Sequence, residues 1–315
     1  MPTQLDCAMQ AYVDSSQRIA PEENTLVARR AAFLRACRDC TPPVPEGWHI
    51  DDINPEGLRL RCYRPGGAVP ESGWPTVLYV HGGGWDLGNL DTHDWFAYAL
   101  AQRARLAIVA VEYRLAPEHS YPAPLQDCLK AWMALRNGEV DANLTRMALM
   151  VAGDSAGGTL AAGLCRALLD AGQPQPLGQL LVYPVLTARP DLPSMQEHAQ
   201  APMMTVAGLK QSLQGFLPNE AERNDPCAMP LEADDFAGLA PALVIVARID
   251  PLCDHGIAYA AALTKHGVPA EVWVSEGMVH SSLRAFGVAE VERAWAHLST
   301  QLLRYCIRCF RAPPS

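Results

Sequence analysis

The sequence predicts an α/β protein with a mostly parallel central sheet and helices on both faces, and three observations carry that prediction. From about residue 48 onward, short apolar strand-like runs alternate with stretches of helical composition. One such run, 147–152, leads straight into Gly153-Asp154-Ser155-Ala156-Gly157-Gly158. Another, 76–80, leads straight into His81-Gly82-Gly83-Gly84-Trp85.

Taken in order, residues 1–40 read as helical, with Tyr12, Val13, Leu26, Val27, Phe33 and Leu34 set among charges, and Pro42-Pro43-Val44-Pro45 ends them. Strands are then expected at 57–63, 76–80, 106–113, 147–152, 179–183, 242–247 and 271–274. Helices are expected among them, including 125–135, 159–169 and 257–265. The last strand is expected at a sheet edge, where unpaired backbone invites association between chains. Segment 187–226 breaks the alternation and is rich in Pro, Met and polar residues. Because it follows a strand, it is placed to cover the strand ends where such sheets bind ligands. No repeat or low-complexity tract interrupts the pattern.

The bulk numbers exclude several classes. With 49% apolar and 19% charged residues, the 315-residue chain reads as globular. A formal net charge of −9 and scattered Lys and Arg argue against a nucleic-acid partner. Asp6 and Asp14 interrupt any secretory pattern at the start, and no apolar run approaches the roughly 18 residues of a membrane span. The ten cysteines are therefore expected as reduced thiols in the cytoplasm. The pairs Cys37/Cys40 and Cys306/Cys309 could together offer four thiolates to zinc, but they sit on helical segments without knuckle glycines. They read as packing residues, and no metal is expected.

Ser155 stands where a strand turns into a helix, with glycines two residues to either side leaving room for a sharp, strained turn that presents its hydroxyl as a nucleophile. Such a short pattern also arises by chance, so the second motif matters. Consecutive glycines after a strand let backbone N–H groups face a site unobstructed, as an oxyanion hole requires. A nucleotide loop would need GxGxxG or GxxxxGK[ST] opening a helix, and neither is present.

A serine hydroxyl needs a base near neutral pH, and the base needs an orienting carboxylate. His198, His255, His266, His280 and His297 follow Ser155. His280 is best placed, after the 271–274 strand and a loop over 275–279, whereas His255 and His266 flank a helix and read as surface or cap residues. Asp250 follows the 242–247 strand and precedes Pro251, at a strand's C-terminal end. Asp254 reads as the N-cap of the helix that begins at His255.

Four blocks carry a family resemblance: His81 to Trp85 with Leu90-Asp91-Thr92-His93-Asp94; Glu112-Tyr113-Arg114-Leu115-Ala116-Pro117-Glu118-His119; Gly153 to Gly158; and Asp250-Pro251-Leu252-Cys253-Asp254 with Gly277-Met278-Val279-His280. In order and spacing, over roughly residues 45–300, the chain resembles the hormone-sensitive-lipase-like (bacterial family IV) branch of α/β-hydrolase esterases. The resemblance implies an α/β-hydrolase fold with a helical cap. Cap helices would come from 1–45 and a cap insertion from 187–226, over a core of 46–186 and 227–315.

It also implies a triad of Ser155, Asp250 and His280, with the backbone N–H groups of Gly83, Gly84 and Ala156 as oxyanion donors. His81 and Gly82 would shape the oxyanion loop, Asp154 would tie neighbouring backbone, and Arg114 with Glu118 would form a buried structural pair. Met203, Met204, Leu209, Leu213 and Phe216 are candidates either for the pocket wall or for packing within the cap, and Trp85, Asp86 and Met278 are further pocket candidates. Asp86 departs from the family's apolar residue: it either repels anionic acyl groups and so narrows acyl preference, or faces solvent.

The implied activity is that of a serine carboxylesterase on short- to medium-chain acyl esters, working through an acyl-enzyme on Ser155. Its partner is a small-molecule ester, no cofactor is needed, and a homodimer is implied. Two alternatives stay open. An amidase, deacetylase or formamidase could use the same triad, and some relatives are non-catalytic ligand-binding proteins, although here Ser, Asp and His all remain.

Overall fold

The structure, a computed structural model, describes residues 5–21, 23 and 25–311, the last four of these by backbone only. It opens with helices α1 (Cys7–Gln17) and α2 (Leu26–Asp39). Each has a side-chain cap, Asp6 accepting from Met9 N–H and Thr25 from Ala28 N–H, which satisfies a donor the first turn leaves free. Then follow β1 (Trp48–Ile53), β2 (Leu60–Pro65), β3 (Trp74–Val80), α3 (Asp94–Ala101), β4 (Ala107–Val111), α4 (Ala123–Asn137), β5 (Leu144–Asp154) and α5 (Ala156–Asp170). The rest are β6 (Gln179–Val182), α6 (Pro193–Glu197), α7 (Val206–Phe216), β7 (Ala242–Ile249), α8 (Cys253–Lys265), β8 (Ala270–Val279) and α9 (Ala289–Arg311).

The strands form one eight-stranded sheet in the order β1-β2-β4-β3-β5-β6-β7-β8. β1 pairs with β2 and β2 with β4 antiparallel, and the other pairings are parallel. β4 and β6 are buried along their whole length and read as unbroken apolar runs rather than alternating ones, as strands covered on both faces do. Successive side chains point to opposite faces, so neighbours in one strand join different cores. Leu78, Val109, Val151 and Val244 pack with Trp132, Leu164 and Tyr259 of α4, α5 and α8. Val77, Ile108, Met150 and Ile245 pack with Phe96, Trp295 and Leu298 of α3 and α9 on the other face. Each fully buried aliphatic side chain stabilises the fold by about 1.5–3 kcal/mol, so this double core is the rigid frame from which the site is hung.

All seven expected strands are present with shifted ends. The 57–63 run begins late because Pro55–Gly57 forms a 3-10 turn. β1 lacked a signal because its burial alternates with charge: Asp51 and Asp52 face outward, paired with Arg64 and Arg61 of β2. β8 lies at the sheet edge as expected, but it extends to Val279, so the loop expected at 275–279 is strand. Its pairing with β7 shifts register between Ala247 and Ile249. Among the described residues, no helix is long and apolar enough to cross a membrane.

The C-terminal ends of the parallel strands point the same way. β3 ends at Val80, β5 at Asp154, β7 at Ile249 and β8 at Val279, so His81, Ser155, Asp250 and His280 each begin where a strand stops. The topology alone thus gathers four motifs that are far apart in sequence onto one edge.

Candidate active site

Ser155 joins β5 to α5 with φ +52° and ψ −119°, a conformation costing about 1–3 kcal/mol for a residue with a side chain. Its N–H donates to Val182 O at 2.8 Å, which fixes the elbow against β6. The flanking glycines are required by crowding rather than by their dihedrals. A Cβ at Gly153 would collide with the Gly157 carbonyl, and one at Gly157 with the Val80 carbonyl.

His280 Nε2 lies 2.9 Å from Ser155 Oγ, and its Nδ1 lies 2.7 Å from Asp250 Oδ2. Asp250 is fully buried, and its second oxygen accepts the Leu252 N–H at 2.9 Å. Because the ionised carboxylate can only accept, Nδ1 carries the proton and Nε2 is free to accept from the serine hydroxyl. The Tyr183 ring packs 4.8 Å from the imidazole. Tyr12 of α1 donates its hydroxyl to Ser281 O at 2.7 Å, immediately beyond His280.

The glycine loop beside them is braced from behind. Asp154 Oδ1 accepts from Tyr79 Oη at 2.7 Å and from Gly82 N at 2.9 Å, so this carboxylate ties backbone as its place in the elbow implied. Burial raises the Asp154 pKa, opposed by those two donors. Tyr113 Oη donates to His81 O at 2.8 Å, and the His81 ring stacks on Tyr113 with centroids 4.2 Å apart. Burial pushes the His81 pKa down to about 4, so the ring is neutral and its Nδ1–H donates to Gly82 O at 2.8 Å. Gly83 and Gly84 take φ of +116° and +60°. Among the described residues their N–H groups meet no protein acceptor, and Ala156, first residue of α5, has no intrahelical acceptor. Three free amides thus border the serine.

Ser155, His280, Gly83 and Gly84 line a cavity of about 850 Å³. Its walls include Arg29 and Phe33 of α2, Met203 and Met204, and Gln211 and Ser212 of α7. Met203, Met204 and Asp86 are therefore at the cavity as expected, but Trp85, Phe216 and Met278 are not. Trp85 and Phe216 are fully buried and stack at 4.4 Å, and Met278 is sealed in the core under α3 and α9. The reason for Phe216 is helical periodicity. Leu209, Leu213 and Phe216 form the inward stripe of α7, while Gly208, Gln211 and Ser212 on its other side face the cavity.

Other expectations need correction. Arg114 does not pair with Glu118: it holds Asp127 through two bonds of 2.8 and 2.9 Å, while Glu118 is held by Arg30 of α2 at 2.7 and 2.8 Å. Both pairs are partly exposed rather than buried. Arg30 pulls the Glu118 pKa down to about 2. His255 is not a surface residue. It is buried within α8, accepts the Leu186 N–H on Nδ1 at 3.2 Å, and has its pKa lowered to about 4 by burial. Asp254 lies inside the first turn of α8 and accepts from Ser194 N of α6 at 2.8 Å, so it anchors a neighbouring helix instead of capping its own.

Asp86 is bonded to Arg29 at 2.9 Å; burial raises its pKa and Arg29 opposes that. The cation offsets its charge, so this carboxylate repels anions less than the sequence alone suggests. Sequence reasoning passed over Arg29, Tyr183 and Arg284 at the cavity, and Tyr12 behind the Ser281 carbonyl. Arg29 and Phe33 stand four apart on α2, a spacing that could have flagged a shared face. Arg284 carried no signal beyond following His280. Cys37 is buried and Cys40 partly so, whereas the Cys309 side chain lies outside the described residues. Among the described residues, no group of three His, Cys, Asp or Glu could hold a metal.

A hydroxyl linked through an imidazole to a buried carboxylate, beside unengaged amides, can add to a carbonyl carbon and stabilise the alkoxide that results. That is the chemistry of the serine hydrolases, and proteins of known identity agree. The alpha/beta hydrolase fold family model matches residues 77–284. Esterase LipI of Mycobacterium tuberculosis is 41% identical over 253 residues, 78% of each chain. The ethyl acetate hydrolase of Pseudomonas putida is 33% identical over 278 residues, covering 88% of this chain and 85% of that one. The crystal structure of a thermostable esterase from Pseudomonas putida ECU1011 matches with a TM-score of 0.88 at 26% identity, over 97% of this chain and 98% of the other. The chain belongs to the alpha/beta hydrolase family, in its hormone-sensitive-lipase-like esterase branch.

Proposed function

We propose that this serine carboxylesterase cleaves short- to medium-chain acyl esters through an acyl-enzyme on Ser155. The observation that carries the reading is the continuous relay from Ser155 Oγ through His280 to Asp250, at 2.9 and 2.7 Å. Ser155 Oγ attacks the ester carbonyl as His280 Nε2 takes its proton, and Asp250 holds the resulting imidazolium. The carbonyl oxygen becomes an oxyanion that accepts from the N–H groups of Gly83, Gly84 and Ala156, each contributing roughly 3 kcal/mol in the transition state. Collapse breaks the bond to the alkoxy oxygen, which leaves as the alcohol with the proton from His280. Water then attacks the acyl-serine, His280 again removing and returning one proton, and the carboxylic acid departs. Every proton is accounted for by one imidazole.

In the same reading, segments 1–45 and 187–226 form a cap over the core, because both supply cavity wall. The free edge of β8 would join two copies in a homodimer. A cytoplasmic setting suits the buried free thiols of Cys62, Cys128, Cys165 and Cys253. The test is Ser155→Ala, which should lower turnover of 4-nitrophenyl butyrate by several orders of magnitude and abolish labelling by a fluorophosphonate. Near-normal turnover by that variant overturns the assignment.

A further inference from the structure

We propose that Arg284 is a carboxylate-binding residue of the cavity, so that the preferred esters carry a free carboxylate at a distance from the scissile bond. The proposal rests on the esterase reading above and specifies its substrate class.

Arg284 ends the 3-10 turn Ser282–Arg284 that follows His280, is only 6% exposed, and lines the same cavity as Ser155 and His280. A guanidinium this deeply buried ordinarily has an ionic partner, because removing a charge from water is strongly unfavourable. Among the described residues no carboxylate lies within 4.0 Å of it. Its contacts are neutral. Nε donates to Tyr12 Oη at 3.0 Å, Nη1 to Cys37 Sγ at 2.9 Å, and the group lies 5.5 Å from the centre of the Phe33 ring. Burial keeps the Cys37 thiol protonated, its pKa pushed up to about 11, and raises that of Tyr12 as well, so neither is a counter-ion. Nη2 shares none of these bonds and is not sealed from solvent, which leaves it facing the cavity.

Of the carboxylates lining the cavity, Asp86 is paired with Arg29, and Asp154 lies beyond ion-pair distance of Arg284 and is bonded by Tyr79 and Gly82. Arg29, Phe33 and Cys37 lie on one face of α2; Arg29 and Phe33 line the cavity and Cys37 lies one turn beyond, about 12 Å from Arg29 along the helix axis. One end of that face therefore meets an ion pair and the other a cation that no carboxylate contacts. Arg284 is held by α1 and α2 in a fixed orientation with a nitrogen to spare, the form in which a guanidinium recognises a carboxylate. The substrate would supply the missing anion.

The experiment compares matched esters on the purified protein. In one arm the carboxylate is on the acyl side: monomethyl adipate against neutral methyl hexanoate and cationic methyl 6-aminohexanoate. In the other it is on the alcohol side: 6-acetoxyhexanoate against hexyl acetate and 6-aminohexyl acetate. In the arm whose carboxylate reaches Arg284, wild type should favour the anionic over the cationic ester in kcat/KM by at least about tenfold. Arg284→Gln should lower the anionic-to-neutral ratio by about tenfold, chiefly through KM, and Arg284→Lys should restore part of it. If Arg284→Gln depresses both substrates equally, or wild type accepts the cationic ester as readily in both arms, the proposal is wrong. The wild-type comparison decides even where the Gln variant does not fold. Failure of the proposal leaves neutral-ester turnover and fluorophosphonate labelling in place, whereas failure of the esterase reading removes both.

Discussion

The floor and the walls of the cavity are built by different means. The floor consists of strand ends: Ser155, Asp250 and His280 are held by backbone geometry, by a double core and by partners that are themselves buried. The walls consist of helices tied to the floor by a few polar links, among them Arg30 to Glu118, Arg30 to the Asp86 carbonyl and Tyr12 to the Ser281 carbonyl. Chemistry demands positional accuracy, which the sheet supplies. Substrate choice demands only a lining, which helices can vary without disturbing the sheet.

That contrast ranks the expected effects of substitution. Asp250→Asn should be the most damaging to rate, removing the acceptor that fixes the His280 tautomer and lowering kcat by about 10³–10⁴-fold, measured by steady-state kinetics. Gly157→Ala comes next in breadth, since its Cβ meets the Val80 carbonyl. It should cost roughly 2–4 kcal/mol in denaturant unfolding and lose activity with it. If this variant keeps wild-type stability, the crowding at the elbow is not what the glycine serves.

In the wall, Arg30→Ala should cost about 1 kcal/mol or less, because its pair with Glu118 is half exposed, yet raise KM several-fold with kcat nearly retained. A fall in kcat alone would show that α2 serves the floor as well. The remaining expectation concerns pH. His255 is buried neutral, with its pKa lowered from 6.5 to about 4. Unfolded protein therefore takes up a proton below about pH 6.5 that the native protein refuses until about pH 4, so stability should fall as pH drops through that window. His255→Gln should flatten the Tm–pH curve there, and an unchanged slope would exclude His255 as a source.

The same division explains what the sequence disclosed. Each floor residue needs one residue type at one backbone position, such as glycine where a Cβ collides with a carbonyl, so the elbow and the glycine loop stood out. Strands buried on both faces likewise announced themselves as apolar runs. Wall residues follow only amphipathic spacing, which marks the buried face and not the one turned to the cavity, so Phe216 was misread and Gln211 and Ser212 were passed over. Ion pairs were misassigned for a related reason. Arg114 and Glu118 are neighbours in sequence, but their partners Asp127 and Arg30 come from other elements that no local pattern specifies.

The bond from Tyr12 to the carbonyl of Ser281 has a consequence for how the catalytic base is held. Ser281 is in a left-handed conformation immediately after His280, so the first helix grips the short stretch of chain that aims the imidazole. A displacement of that helix would slacken the grip, so the posture of the imidazole depends on the first helix as well as on the sheet.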